Sequence, residues 1–94
     1  MLESSIQAKI MRYLKQIPES FVWKQHAGQY AKAGLPDIMF VWKGLLYCFE
    51  VKQPGNKATK LQESTMKDLR AAGARATVVY GLEDVKGIIE EVLQ

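Results

Sequence analysis

Two acids and a lysine fall at one end of an otherwise apolar stretch, where side chains of those types could do chemistry. The stretch runs from Gly34 to Lys52 and reads GLPDIMFVWKGLLYCFEVK. Two apolar runs are joined by Lys43-Gly44, a pair suited to a tight turn between antiparallel strands. The first run opens with Asp37, and the second closes with Glu50 and Lys52. Side chains alternate along a strand, so Glu50 and Lys52 share a face. A hairpin sets the start of its first strand beside the end of its second, which brings Asp37 towards that pair. Two carboxylates at strand ends can hold Mg²⁺ or Mn²⁺, hard cations that prefer oxygen ligands and keep several waters. Such an ion neutralises phosphate charge and lowers the pKa of a bound water. A lysine on the same face can position or deprotonate that water, once desolvation lowers its own pKa. A structural reading stands beside this one. In it Asp37 ends a turn after Pro36, and Glu50 and Lys52 pair at a frayed strand end. The spacing alone, D-x(12)-E-x-K, arises often by chance and favours the structural reading; the hairpin context brings the two level.

The elements that must position these residues follow from periodicity. Residues 4–17 read as a helix, with Ile6, Ile10, Tyr13, Leu14 and Ile17 on one stripe. Ser4 and Gln7 match a capping box, and Pro18 ends the segment. Residues 20–26 are rich in β-formers and read as a strand. Residues 27–35 carry two glycines and no period, which marks a loop. The hairpin strands span 37–42 and 45–52. Gln53-Pro54-Gly55-Asn56-Lys57 is turn chemistry. Thr59 is the expected N-cap of a helix reaching Ala72, with Leu61, Thr65, Leu69 and Ala72 inward and Gly73 as its stop. Ala76 to Tyr80 reads as a strand buried on both faces. Leu82 to Leu93 reads as a helix with Val85, Ile88, Ile89, Val92 and Leu93 inward. The order is αβββαβα. Its first three strands suit an antiparallel meander, and the helix after Thr59 can carry a right-handed crossover to a parallel fourth strand. The expected class is α/β: one mixed four-stranded sheet flanked by helices, in a single domain spanning residues 1–94.

Composition narrows the class of protein without naming it. Of the 94 residues, 48% are hydrophobic and 24% charged, ordinary values for a globular chain and too apolar for disorder. The single cysteine, Cys48, lies inside an apolar run, so neither a disulfide framework nor a Cys-rich zinc site is expected. No apolar run approaches the ~20 residues that span a bilayer, and the start lacks a basic-then-apolar signal design. A cytoplasmic protein with no membrane partner is expected. The net charge of +3 is mild. Lysines and arginines nevertheless gather in the middle of the chain, while Glu83, Asp84, Glu90 and Glu91 gather at its end. The middle can face phosphates; the last helix does not suit that role.

The ordered set of motifs resembles a known family. P-D…E-x-K on adjacent strands, after one helix and before a crossover helix, resembles the PD-(D/E)XK nuclease superfamily and its restriction-endonuclease-like fold. Within it the chain is similar to the virus-type replication-repair nuclease family, the VRR-NUC domain, in its stand-alone form. Glu3-Ser-Ser-Ile-Gln7 is similar to that family's E-x-x-I-Q start. His26-Ala-Gly28 and Gly34-x-Pro36-Asp37 resemble its glycine-bearing loop, and Gln62 matches its helix glutamine. Nearly the whole chain is covered, and the joint order carries the likeness rather than any one motif. The resemblance implies that Asp37, Glu50 and the Val51 carbonyl hold Mg²⁺ or Mn²⁺, and that Glu3 adds a ligand or orients a metal-bound water. It implies that Lys52 serves the attacking water and that Gln62 supports the site. It also implies a homodimer acting on branched or four-way DNA, in a bacterial or phage-infected cell.

Local alternatives accompany several of these assignments. Gln62 lies three residues after Thr59 and can complete a capping box, Gln7 can do the same for Ser4, and Glu3 suits a helix start through the dipole alone. For His26, the lone histidine, the resemblance implies contact with substrate phosphate; the other readings are a metal ligand or acid or, more commonly, a plain surface or core group. Tyr30, Lys32, Lys57 and Lys60 are candidate DNA contacts, with a solvated surface as the other reading. For Trp23 and Trp42, core or interface packing outranks base stacking. Three functions are carried forward. They are a structure-specific, metal-dependent endonuclease, a related nuclease acting on flaps, nicks or duplex, and a non-catalytic nucleic-acid-binding module whose acids are structural.

Overall fold

Residues 2–26 and 32–94 are described by a computed structural model. The chain forms α1 (Glu3–Leu14), β1 (Ser20–Lys24), β2 (Ile38–Trp42), β3 (Leu45–Val51), α2 (Lys60–Ala71), β4 (Arg75–Val79) and α3 (Leu82–Leu93). The strands lie side by side in chain order. β1–β2 and β2–β3 are antiparallel, and β3–β4 is parallel, as the crossover through α2 requires.

The hairpin turns on Lys43 and Gly44, whose φ values of 54° and 77° are both positive, as a two-residue type I′ turn demands. This turn pairs Trp42 with Leu45 and thereby sets every later pair down to Ile38 with Phe49. Alternation then sorts the side chains into two layers. Ile38, Phe40, Trp42, Tyr47, Phe49, Val51 and Val79 face Ile6, Ile10 and Leu14 of α1 and Val85 and Ile89 of α3. Met39, Cys48 and Ala76 face Met66 of α2 on the opposite side. Glu50 and Lys52 belong, by the same alternation, to the α2 side. Burial pushes the Cys48 thiol up to about 11, which fits an inert core residue.

Several boundaries and faces differ from the sequence expectation. Helix α1 starts at Glu3 with Leu2 as N-cap and makes no side-chain cap bond, so the Ser4–Gln7 capping box is absent. Ser4 falls inside the helix instead, and Gln7 turns into the interior, where its Oε1 meets no donor. The helix ends at Leu14 in a tightening turn, with Ile17 N–H donating to Leu14 O rather than to residue 13. β1 stops at Lys24, although Gln25 N–H still donates to Asp37 O at 2.7 Å. The buried stripe of α2 is rotated towards Met66. Thr65 and Met66 are buried and Leu69 half-buried, while Leu61 is 53% exposed and Ala72 is exposed. Met66 wins because it lies over Cys48 and Ala76, the small residues of that layer. β4 is an edge strand, yet both its faces are covered as expected: Val79 joins the α1/α3 layer and Ala76 and Val78 the α2 layer, while Tyr80, past its end, is exposed. Leu93, one turn past the buried Ile89, is exposed.

Gly34 has φ +83°, and a Cβ there would lie 2.8 Å from both Leu61 Cγ and Thr65 Oγ1. The loop before β2 therefore presses its backbone against α2, and only glycine allows the approach.

Candidate active site

Asp37 sits one residue before β2, where the ladder to β3 would otherwise end. Its Oδ2 accepts from the Val51 N–H at 2.8 Å, so a side chain takes over where the backbone pairing stops. That bond brings the Asp37 carboxylate to the last residues of β3, beside Glu50. The hairpin thus delivers the juxtaposition expected from its sequence.

Glu50 is 2% exposed, the deepest charged residue described. Its Oε2 accepts from Gln62 Nε2 at 3.2 Å and lies 3.6 Å from Lys52 Nζ. Its Oε1 is buried and meets no donor. The carboxyl is pushed up to about 8, first by burial and then by the neighbouring Asp37. Lys52 pulls the other way, yet an amine at 3.6 Å does not offset burial and a second carboxylate.

Gln62 caps α2 and also bonds to Glu50. Thr59 Oγ1 accepts from the Gln62 N–H at 3.1 Å, and the Thr59 N–H donates to Gln62 Oε1 at 2.9 Å, closing a capping box. Having spent its oxygen on the cap, the amide has only its Nε2 to turn on Glu50. The first turn of α2 is thereby tied to β3.

The donor set suits a hard divalent cation. A buried carboxylate oxygen with no donor is costly by itself, and a cation shared with Asp37 removes that cost. Two carboxylates with the remaining positions left to water or carbonyl oxygen is the ligand balance of Mg²⁺ or Mn²⁺ rather than of zinc. Among the described residues no group of three His, Cys, Asp or Glu side chains is placed to share an ion. The structure therefore does not bring Glu3 into one cluster with Asp37 and Glu50; Glu3 opens α1 and is half-buried.

The remaining candidates lie around this core. His26 is exposed, next to Gln25, whose N–H binds Asp37 O. Lys57 and Lys60 are exposed on the segment that leads from β3 into α2. Lys32 is exposed beside Leu61, Thr65 and Asp68 of α2. Tyr30 lies outside the described residues. Trp42 is buried, as expected, whereas Trp23 is 37% exposed and its strand neighbour Phe21 67%. A cavity of about 470 Å³ at the β4–α3 junction, lined by Ile6, Lys9 and residues 80–84, contains none of the candidates.

Two solved structures match this arrangement over nearly all of its length. One, named "VRR_NUC domain", has TM-score 0.77 and 23% identity, with 94% of each chain covered. Another, named "VRR_NUC domain protein", also has TM-score 0.77, with 22% identity over 96% of this chain and 86% of the other. The chain carries the VRR_NUC fold. The mixed four-stranded sheet with its crossover helix and flanking helices is the architecture expected from the sequence. No protein-family profile matches the sequence, and no curated protein matches it. The VRR_NUC likeness thus rests on shape. No helix among the described residues is long and apolar enough to cross a membrane.

Proposed function

We propose that the chain is a metal-dependent DNA endonuclease that hydrolyses phosphodiester bonds at the Asp37–Glu50–Lys52 site. One observation carries the reading: Glu50 Oε1 is buried without a donor beside a second carboxylate, with a lysine on the same face. A fold whose solved examples are named VRR_NUC domain supports it.

Asp37 and Glu50, with the Val51 carbonyl, would hold Mg²⁺ or Mn²⁺. When bound, the ion neutralises charge on the scissile phosphate and acidifies a water. Asp37 is aimed by the Val51 N–H, and Glu50 is aimed by Gln62 Nε2. Lys52, 12% exposed on the same face, holds the attacking water and stabilises charge in the transition state. Glu3 orients water from α1. His26, Lys32, Lys57 and Lys60 contact phosphates, and Tyr30 is a further candidate contact.

We further propose branched, four-way DNA as the substrate and a two-fold pair of chains as the working unit, since two symmetric sites address two strands. Sedimentation of the pure protein reads the pair directly. The substrate test is a panel of blunt duplex, nicked, flap and four-way DNA with Mn²⁺, comparing wild type with Glu50→Gln. Cleavage by wild type and none by the variant is expected, and equal cleavage by both overturns the reading.

A non-catalytic nucleic-acid-binding module is the second reading, and Asp37 favours it: its bond to Val51 N–H is a structural task complete in itself. On that reading Glu50 stays protonated at neutral pH and binds no ion. Mn²⁺ calorimetry separates the two readings.

A further inference from the structure

The α2 face of the sheet is only half covered. Met39, Cys48 and Ala76 lie beneath Met66, and α2 packs on β4 without closely approaching β1. Register places Phe21 opposite Val41 and Trp23 opposite Met39. Alternation therefore sets Phe21, Trp23 and Val41 on the same face as Glu50 and Lys52. Those three residues are 67%, 37% and 39% exposed, and no described element lies over them. Phe21 and Trp23 touch, with ring centroids 5.7 Å apart and planes tilted by 43°.

We infer that Phe21 and Trp23 form a stacking platform for unpaired nucleobases of the substrate, beside the Asp37–Glu50–Lys52 site. The substrate's being nucleic acid rests on the function proposed above. Area argues for bases over a second copy of the chain. The exposed parts of the two rings amount to about 200 Å², against the roughly 800 Å² per partner of a stable interface. That is a quarter of what a dimer needs, and it matches one or two flat bases. The bases lie across the rings and not between them, because 5.7 Å falls short of the roughly 7 Å that an intercalated base requires.

Position and charge agree with this occupant. Trp23 is two strands and one side-chain row from Glu50, about 12 Å by sheet spacings. A strand stacked there runs directly onto the carboxylates. β1 and β2 contain no acidic residue to repel a phosphate backbone. Aromatic stacking is indifferent to base identity, so the platform selects unpaired segments rather than sequences.

The test uses a twelve-nucleotide oligo-dT and a blunt duplex, with binding followed in EDTA so that no cleavage intervenes. Oligo-dT should quench the emission of exposed Trp23. Phe21→Ala and Trp23→Ala should each weaken oligo-dT binding by roughly 5- to 150-fold, a larger loss than on the duplex. Trp23→Phe should lose the quench and keep the affinity. Leu93→Ala, equally exposed on α3, should change neither. Unchanged oligo-dT binding in both alanine variants, or none by wild type, overturns the platform. A shift from dimer to monomer in those variants with oligo-dT affinity intact also overturns it, and assigns the patch to a second chain. Because the readout needs no catalysis, a protein that cuts nothing yet binds oligo-dT through these rings separates failure of the nuclease reading from failure of the platform.

Discussion

Gln62 Nε2 donates to Glu50 Oε2 at 3.2 Å while the same amide's oxygen caps α2 through the Thr59 N–H. One side chain thus fixes both a helix start and a carboxylate. Gln62→Ala should cost about 1 kcal/mol of stability through the lost cap. Gln62→Glu preserves the cap acceptor but sets an acid against Glu50 in place of a donor. Cleavage by Gln62→Glu should fall at least tenfold while its melting point stays above that of Gln62→Ala. Wild-type cleavage rates in Gln62→Glu would reduce this residue to a cap.

Glu50 makes stability depend on pH. Its carboxyl ordinarily titrates at 4.5, and in the folded chain it is pushed up to about 8. Between those values the folded state binds a proton that the unfolded state has lost. Stability therefore falls as pH rises from about 5 to about 8, then levels off. Thermal melts in chelator should show this decline, and Glu50→Gln should flatten it.

Metal binding should run against that proton. Below pH 8 an entering cation must displace it, so Mn²⁺ calorimetry in buffers of different ionisation enthalpy should show proton release that disappears above that value. Asp37→Asn keeps an oxygen for the Val51 N–H and loses the charge. It should remain folded and bind Mn²⁺ at least tenfold more weakly.

Lys52→Met removes the amine beside Glu50 and retains the apolar stem. Cleavage should drop by at least about 100-fold, the usual worth of one positioned group that stabilises transition-state charge. Mn²⁺ should still bind, which separates chemistry from ligation.

Gly34→Ala tests how the loop meets α2. The new Cβ would lie 2.8 Å from Leu61 Cγ and Thr65 Oγ1 at a positive φ, and about 2–4 kcal/mol should be lost in urea denaturation. Gly55→Ala has a similar φ of +92° with nothing within 4 Å, and should cost only about 1 kcal/mol. Equal losses would remove the argument for a tight approach.

What could be read in the sequence was what local chemistry decides. Lys43-Gly44 names its own turn, Thr59 and Gln62 name their cap, and strand alternation puts Glu50 with Lys52. What could not be read depends on neighbours distant in the chain. Which α2 residues face inward is settled by Cys48 and Ala76 offering room to Met66. Gln7 had a capping pattern, yet the helix began one residue before Ser4 and carried Gln7 into the interior. Trp23 and Trp42 look alike in a strand-rich sequence. Only coverage by helices separates them, and α2 stops short of β1. The burial of Glu50 Oε1 without a donor has no local signature at all.

The two-residue turn at Lys43-Gly44 also acts as an internal proofreader. A slip of one position between β2 and β3 would turn Glu50 and Lys52 into the layer of Phe40 and Ile89, and push Phe49 and Val51 out of it. Such a chain would strand two charges in oil and lose its principal core together, so it would not persist as a well-formed but inert impostor. Correct pairing of one hairpin is at once the condition for collapse and the condition for placing the three charged groups.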